Sequence, residues 1–507
     1  MKMMDMAWVW TALALFAAVA SSALLLLLLH GITKKKKKKK NAPPPGPREL
    51  PILGHLHLLG KNPHRDLSKL AKVHGPIMRL RFGFLDHIVI SSPRAARLFL
   101  ETHDLVFASR PPHEAARIIS YGQKNLSFAR YGPYWRNVRK LVTLELLSHQ
   151  KISSSRARAT KRNELCLLVE SLKAKAATVD LTAAVFALVA NVSCRMVCGR
   201  KYEMREFEGA VREGLQLYGM PNLGDYFPRL GWLDLQGFRR RMKGVVKVFD
   251  QFLEKVLVDH ERRDHQQCGG EDFVDTMLSL LNSGEADDDE LRLNREHVKT
   301  ILLDMLVASM DTSANVINWT MSELLRHPQV MKKVQHELVT EVGLERMVEE
   351  SDMKNLNYLE MVIKESLRFH PPGPLLVPHE AMEDCVVDGF HISKGARILV
   401  NAWAIGHDPN VWTDPEEFMP ERFEGLDIDY RGRNFELIPF GSGRRSCPGL
   451  ELGITTVKFV AAQLLHSFDW ALPDNMSPKE LDMTEEFGLA LSRAKHLMVV
   501  PHYKLRI

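Results

Sequence analysis

Phe440-Gly-Ser-Gly-Arg-Arg-Ser-Cys-Pro-Gly449 is the stretch whose reading decides the rest. It places one cysteine, Cys447, at the end of a glycine-rich loop and at the mouth of a helix. Pro448 is pre-set for a first helical position, and Leu450 to Leu465 follow as a long apolar segment with few breakers. A sulfur there faces unpaired N–H groups and the positive dipole end of that helix, which favour the thiolate. A buried thiolate with no second cysteine nearby suits a metal that takes one protein ligand. Gly443 and Gly449 let the backbone lie close against something flat, and Arg445 offers a cation to a carboxylate on that flat object. The plain alternative is a free core cysteine beside an ordinary capping loop.

The pattern Phe-x-x-Gly-x-Arg-x-Cys-x-Gly is matched at every fixed position and resembles the haem-binding loop of the cytochrome P450 family. The resemblance implies a fold that is mainly α with a smaller β region. It also implies haem b (iron protoporphyrin IX) as cofactor, held by Cys447 as the axial ligand and flanked by Phe440, Gly443, Arg445 and Gly449. A thiolate in that position pushes electron density towards O–O cleavage.

Three further motifs stand in the order the resemblance requires. Trp135 and Arg139 share one helical face at i, i+4, a weak signal alone; by resemblance both contact a haem propionate. Ala308-Ser-Met-Asp-Thr-Ser313 lies inside a long helical pattern in which Val298, Ile301, Leu302 and Met305 recur, with Pro328 as the stop. Asp-Thr in mid-helix is unfavourable by propensity, so a solvated face competes with a functional pair. The box resembles the family's oxygen-activation segment, which implies that Asp311 and Thr312 are catalytic and relay protons through water. Ser309 stands where the family usually has glycine, and its hydroxyl would crowd the oxygen groove or join the relay.

The last motif is Glu365-Ser-Leu-Arg368, echoed by the decoy Glu323-Leu-Leu-Arg326. Its context, with Phe369-His-Pro-Pro next and Pro420-Glu-Arg-Phe423 beyond, implies a buried triad of Glu365, Arg368 and Arg422 that supports the cysteine loop. Arginine's planar fork suits the bidentate contacts this needs. His379 occupies a place where the family often has a propionate-binding arginine; it serves only when protonated or through its N–H. The Asn401 to Asp408 stretch and the proline-rich hinge look most like plant microsomal A-type members.

Length alone, 507 residues, suggests about three domains, whereas the resemblance implies a single catalytic body over residues 55–507. Ala7 to Leu29 carries no charge over 23 residues, roughly 34 Å of helix, enough to cross a hydrocarbon core of about 30 Å. Residues 1–33 therefore read as a membrane anchor, with a cleaved signal peptide as the alternative. Residues 34–54 read as a polybasic and proline-rich hinge, stiff and extended. Lys34 to Lys40 put the body on the cytosolic side by the positive-inside rule. Taking those seven lysines from the net charge of +6 leaves −1, which removes any case for nucleic acid. Six cysteines without a CxxC pair fit a reducing compartment.

The function implied is a single-pass monooxygenase of the endoplasmic reticulum membrane, oxidising a small or medium apolar metabolite of terpenoid or phenolic type. Electrons come, by resemblance, from NADPH through an NADPH-cytochrome P450 reductase, with cytochrome b5 as a second donor. No nucleotide-binding glycine loop is present in the chain, in keeping with an external donor. Arg136, Lys140, Arg444 and Lys458 are candidate docking cations. Pocket walls are expected from 118–128, 218–227, 303–309, 375–377 and 487–490. Two rivals stand beside this reading: a haem-thiolate enzyme that rearranges or dehydrates without dioxygen, and a non-catalytic membrane haem protein. The acid–alcohol pair counts against both.

Overall fold

Prolines and one glycine decide how the described chain begins. In the computed structural model, which describes residues 42–174, 177–262, 272–283 and 293–507, the segment after Ala42 is extended and without helix. It is docked rather than free: Arg79 N–H donates to the Pro45 carbonyl at 2.8 Å and His391 N–H to Ala42 at 2.9 Å. Gly46 lies so close that a Cβ would strike the Arg79 carbonyl oxygen. The apolar stretch Ala7 to Leu29 and the lysine run lie outside the described residues.

Alternation of Met78, Leu80 and Phe82 with Arg79 and Arg81 makes β1 (Ile77–Phe82), whose apolar side chains are buried. It turns back at Gly83-Phe84 into β2 (Leu85–Ile90), pairing Phe82 with Leu85 and Ile77 with Ile90. The sequence pattern reads as a hairpin with its turn at Gly83 to Asp86 and its return at Ile88 to Ile90; the strand starts earlier, at Leu85, because Gly83 at φ +57° permits a tight turn. With β3 (His379–Glu380) and β4 (Arg397–Val400) these strands form one sheet in the order β1-β2-β4-β3. β2 and β4 run parallel, and the other pairs antiparallel.

The rest is mainly helical, with α1 (Pro133–Leu141), α2 (Ser155–Lys173), α3 (Leu181–Cys198), α4 (Arg205–Gly219) and α5 (Phe238–Glu261) in the first half. α6 (Arg295–Arg326), α7 (Asn357–Phe369) and α8 (Leu450–Ser467) follow. Side chains mark the starts: Ser154 accepts from Ala157 N–H, Asp180 from Ala183 N–H, and Asn294 closes a capping box with His297. α6 runs 32 residues, roughly 48 Å, and ends before Pro328, as the sequence pattern requires. It is apolar on nearly every side and buried on nearly every side, the mark of a central helix. α3 and α6 are long and apolar enough to span a membrane, but most of each lies inside the body.

The polar and acidic stretch from Gly269 to Asn294 reads in sequence as an exposed loop or a frayed helix end; within it Phe273–Ser283 is helical and buries Val274 and Met277 completely. Phe273, Val274, Met277 and Leu278 form a short apolar stripe that the polar flanks mask in the sequence. The acidic run Asp287 to Glu290 falls outside the described residues.

The Glu365 triad assembles as expected. Arg368 donates Nε and Nη2 to the two Glu365 oxygens at 2.7 Å each, and Arg422 Nε adds a bond at 3.0 Å. What it clamps is backbone between Gly406 and Met419: Arg368 reaches the Gly406, Pro415 and Glu417 carbonyls, and Met419 N–H reaches Glu365. Glu365 and Arg368 are fully buried. The decoy Glu323 is taken instead by His370 Nε2 at 2.7 Å. Glu365→Gln leaves two guanidiniums buried without a counter-charge and should cost about 3–5 kcal/mol of stability. A urea midpoint equal to the wild type would contradict that clamp.

Candidate active site

Cys447 N–H donates to the Phe440 carbonyl at 2.9 Å, closing the glycine loop on itself. Gly441 and Gly443 take φ of +68° and +69°, which side chains resist. Gly443 was expected against the ligand; it faces away, and a Cβ there would run into the Leu100 carbonyl and Asp104. Its role is close packing. The helix begins later than Pro448, with Gly449 as the N-cap and Leu450 the first residue of α8. Cys447 lines a cavity of about 370 Å³, together with Phe440, Gly449, Trp135, Arg139 and His379.

The helix-end argument for a thiolate holds only in part. Burial pushes the Cys447 thiol up, while the Gly449 N–H and the Arg139 charge pull it down, and burial wins. A bound metal cation would pull it down further.

Three guanidiniums converge on the same cavity. Arg445 is buried, gives Nε to the Ala108 carbonyl at 2.6 Å and Nη2 to Ala129 at 2.7 Å, and lies 3.9 Å over the Trp135 ring. Arg139 gives Nη1 to the Ser446 carbonyl at 2.8 Å. The third, Arg110, was missed in the sequence; it bonds the Ser127, Val377 and Pro378 carbonyls. None of the three has an acidic partner among the described residues. Burial, then the neighbouring Arg110 and Arg139, push Arg445 down to about 8, and burial pushes Arg110 down to about 10. Like charges buried together without an anion are unfavourable, and a ligand carrying carboxylates relieves them.

Trp135 and His379 sit in the cavity but with their N–H groups engaged. Trp135 Nε1 donates to the Leu126 carbonyl at 3.0 Å, so the indole supports Arg445 through its face rather than meeting an anion with its N–H. His379 Nδ1 donates to the Phe107 carbonyl at 2.8 Å, which leaves only Nε2 facing any ligand. Burial, with Arg110 and Arg445 nearby, holds His379 well below its ordinary value and so neutral. The N–H route to a propionate is closed, and the other opens only when an incoming anion favours protonation of Nε2 from solvent.

α6 brings the acid and the alcohol to the same space. In a helix otherwise buried, Ala308 and Thr312 keep accessible surface, and they line the cavity with Asp311. Thr312 Oγ1 donates back to the Ala308 carbonyl at 2.6 Å, leaving its lone pairs free. Asp311 accepts from Asn315 Nδ2 at 2.9 Å, and burial raises its carboxyl to about 6. Ser309 also lines the cavity, with its hydroxyl tied to Ser193 on α3 at 2.8 Å and to the Met305 carbonyl at 2.6 Å.

The expected walls are right in outline. Leu126, Phe128, Tyr218, Leu303, Val377 and Leu489 line the cavity, whereas Leu375 packs beneath the sheet and Phe487 stacks on His64. Asp304, within the expected 303–309 wall, is a polar member of it, tied by Asn125 Nδ2 at 2.7 Å and Ser127 N–H at 3.1 Å. Of the candidate docking cations, Arg444 is paired with Asp104 and Lys458 with Glu360. A thiol, three unneutralised guanidiniums and apolar walls around one cavity fit a flat, dianionic, metal-bearing group.

Comparison with known proteins agrees. A family model described as Cytochrome P450 matches residues 44–498. Cytochrome P450 CYP736A12 of Panax ginseng is 50% identical over 91% of this chain and 93% of its own. The flavonoid 3'-monooxygenase of Arabidopsis thaliana is 42% identical over 91% of each chain. A 4-hydroxyphenylacetaldehyde oxime monooxygenase of Sorghum bicolor is 42% identical over 91% of this chain and 89% of that one. A zebra fish cytochrome P450 solved with progesterone superposes with a TM-score of 0.75 at 29% identity, covering 87% of this chain and 99% of that one.

The Asp311 carboxyl yields a pH signature. Its folded value, about 6, lies above the unfolded one, so its stabilising protonation is complete below the unfolded value and lost as pH rises through 6. Asp311→Asn should therefore gain on the wild type by about 2 kcal/mol between pH 4.5 and 7.5. Urea midpoints at the two pH values check this; a pH-independent difference would contradict it.

Proposed function

The chain belongs to the cytochrome P450 family, and from that premise we propose a membrane-anchored haem-thiolate monooxygenase that oxidises a small or medium apolar metabolite of terpenoid or phenolic type. Haem is the family's cofactor, and a redox partner and a small-molecule substrate go with it. The named relatives are monooxygenases. The single observation that carries the proposal is that Cys447 and the Asp311–Thr312 pair face one cavity.

In this reading Cys447 would hold the iron, and Arg110, Arg139 and Arg445 would hold the propionates, joined by His379 once the anion raises its proton affinity. Phe440 and Gly449, which line the same cavity, would flank the group. When bound, haem supplies the activation of dioxygen, chemistry that no side chain here can perform. The residues do the rest. Thr312, with its hydroxyl hydrogen tied to Ala308, offers lone pairs to a proton-carrying water. Asp311, raised to about 6, gives up and regains a proton near neutrality. Leu303, Val377 and Leu489 keep the substrate side apolar and dry. One oxygen enters the C–H bond, and the other leaves as water with two electrons and two protons.

The apolar walls support a substrate without charge, and two relatives bear names of aromatic substrates, a flavonoid and 4-hydroxyphenylacetaldehyde oxime. Residues 1–33 anchor the chain in the endoplasmic reticulum membrane, residues 34–54 are the hinge, and residues 55–507 face the cytosol. NADPH-cytochrome P450 reductase is the donor, with cytochrome b5 assisting. Arg136 and Lys140, exposed on α1 and without acidic partners among the described residues, are the docking cations that fit an acidic partner.

Microsomes carrying the full chain and the reductase should convert a terpenoid or phenolic panel member with NADPH, and the product should carry label from ¹⁸O₂. Label arriving from water instead would contradict oxygen insertion. Thr312→Ala should lower product per NADPH by about tenfold or more, the scale of a lost proton relay. Unchanged coupling would remove Thr312 from it.

A further inference from the structure

Tyr218, next to last in α4, lines the main cavity with Phe128, Leu303 and Leu489. Its ring stacks on His113, with centroids 4.5 Å apart at 29°, and on Phe128, 4.8 Å apart at 24°. The end of α4 is fixed as well. Leu489 N–H donates to the Leu215 carbonyl at 3.2 Å, and a Cβ on Gly219 would strike Gly488. Ring plane and helix position are thus both set, which gives the hydroxyl a defined place in the wall.

That hydroxyl makes no hydrogen bond among the described residues, although a tyrosine turned inward usually finds one. The charged groups around it do not serve. Arg110 and Arg397 carry only donors, and both are bonded to carbonyls, Arg397 to that of Pro112 at 2.7 Å. Asp225 already accepts from the Glu114 N–H at 2.9 Å and from Asn222 Nδ2 at 3.2 Å. Polar neighbours in the wall are engaged too. Asp304 accepts from Asn125 and Ser127, and Asn125 Oδ1 accepts from the Phe128 N–H at 3.1 Å. Burial pushes the Tyr218 phenol above its ordinary value, so it stays protonated and uncharged at neutral pH. A neutral O–H without an acceptor, set in an apolar wall, is completed by an oxygen on the ligand.

We propose that Tyr218 is a specificity-determining residue whose hydroxyl donates a hydrogen bond to a carbonyl oxygen of an uncharged substrate. The inference rests on the monooxygenase reading of this cavity and deepens it by naming a group the substrate carries. A carbonyl suits the place better than an alcohol. An alcohol would bring a hydrogen of its own, and the guanidiniums of Arg110 and Arg397 offer it no acceptor. Leu303, Val307 and Leu489 take the rest of an apolar skeleton.

The test uses the haem-loaded full chain and two probes, menthone and p-menthane, which share a carbon skeleton and differ by one carbonyl oxygen. Equilibrium dialysis gives the Kd of each without turnover. Tyr218→Phe removes the hydroxyl and keeps the ring between His113 and Phe128, so the wall stays packed. It should weaken menthone by about fivefold, the size of one neutral hydrogen bond, and leave p-menthane as in the wild type. Equal weakening of both probes would make Tyr218 a packing residue only and overturn the proposal. So would menthone bound equally by both proteins, or not bound by the wild type at all. The parent reading fails differently. If menthone shows the expected loss in Tyr218→Phe, yet the wild type forms no product from it with NADPH and reductase, the hydrogen bond stands and the monooxygenase falls.

Discussion

Three guanidiniums, two of them buried, and a thiol line one cavity without an acidic partner among the described residues, a charge imbalance that the fold itself does not cancel. Arg110, Arg139 and Arg445 are satisfied as hydrogen-bond donors, each by backbone carbonyls, but not as charges. Loss of hydration pushes the thiol up, against the pull of the Gly449 N–H and Arg139. Both conditions are relieved by one kind of ligand, a flat group with carboxylates on its rim and a cationic metal at its centre. The site is thus electrostatically incomplete in the direction that haem completes.

The scaffold makes that imbalance affordable by fixing everything around it. The Glu365 clamp ties α7 to the backbone from Gly406 to Met419 through buried bidentate contacts. Asp304 ties α6 to the 125–128 loop, whose Leu126 carbonyl in turn orients Trp135 beneath Arg445. α6 contributes the alcohol and acid from a stretch otherwise sealed in the core, so the two polar groups meet the cavity rather than each other's backbone alone. Packing, not propensity, puts Asp-Thr in mid-helix.

Much of this was legible in the residues, for reasons that differ by element. Cys447, Asp311, Thr312 and the Glu365 triad sit in spacings with chemical meaning, and the strand alternation of Met78, Leu80 and Phe82 announced the hairpin. Arg110 gave no such signal. Its bonds run to carbonyls 17 and 267 residues away in sequence, a long-range convergence that no local pattern carries. Gly443 was misread for the opposite reason: the glycine is demanded by the Leu100 carbonyl across the loop, not by the ligand. The neutral, Phe107-bonded His379 and the Ser193-bonded Ser309 likewise depend on partners far off in sequence. Phe273–Ser283 was hidden by polar flanks.

The most direct measurement is the carbon monoxide difference spectrum of the reduced full-length protein beside that of Cys447→Ala. A thiolate-type Soret band in the wild type, absent from the variant, is the result this account predicts. A wild-type band of the imidazole type, or a thiolate band that survives the loss of Cys447, would contradict it.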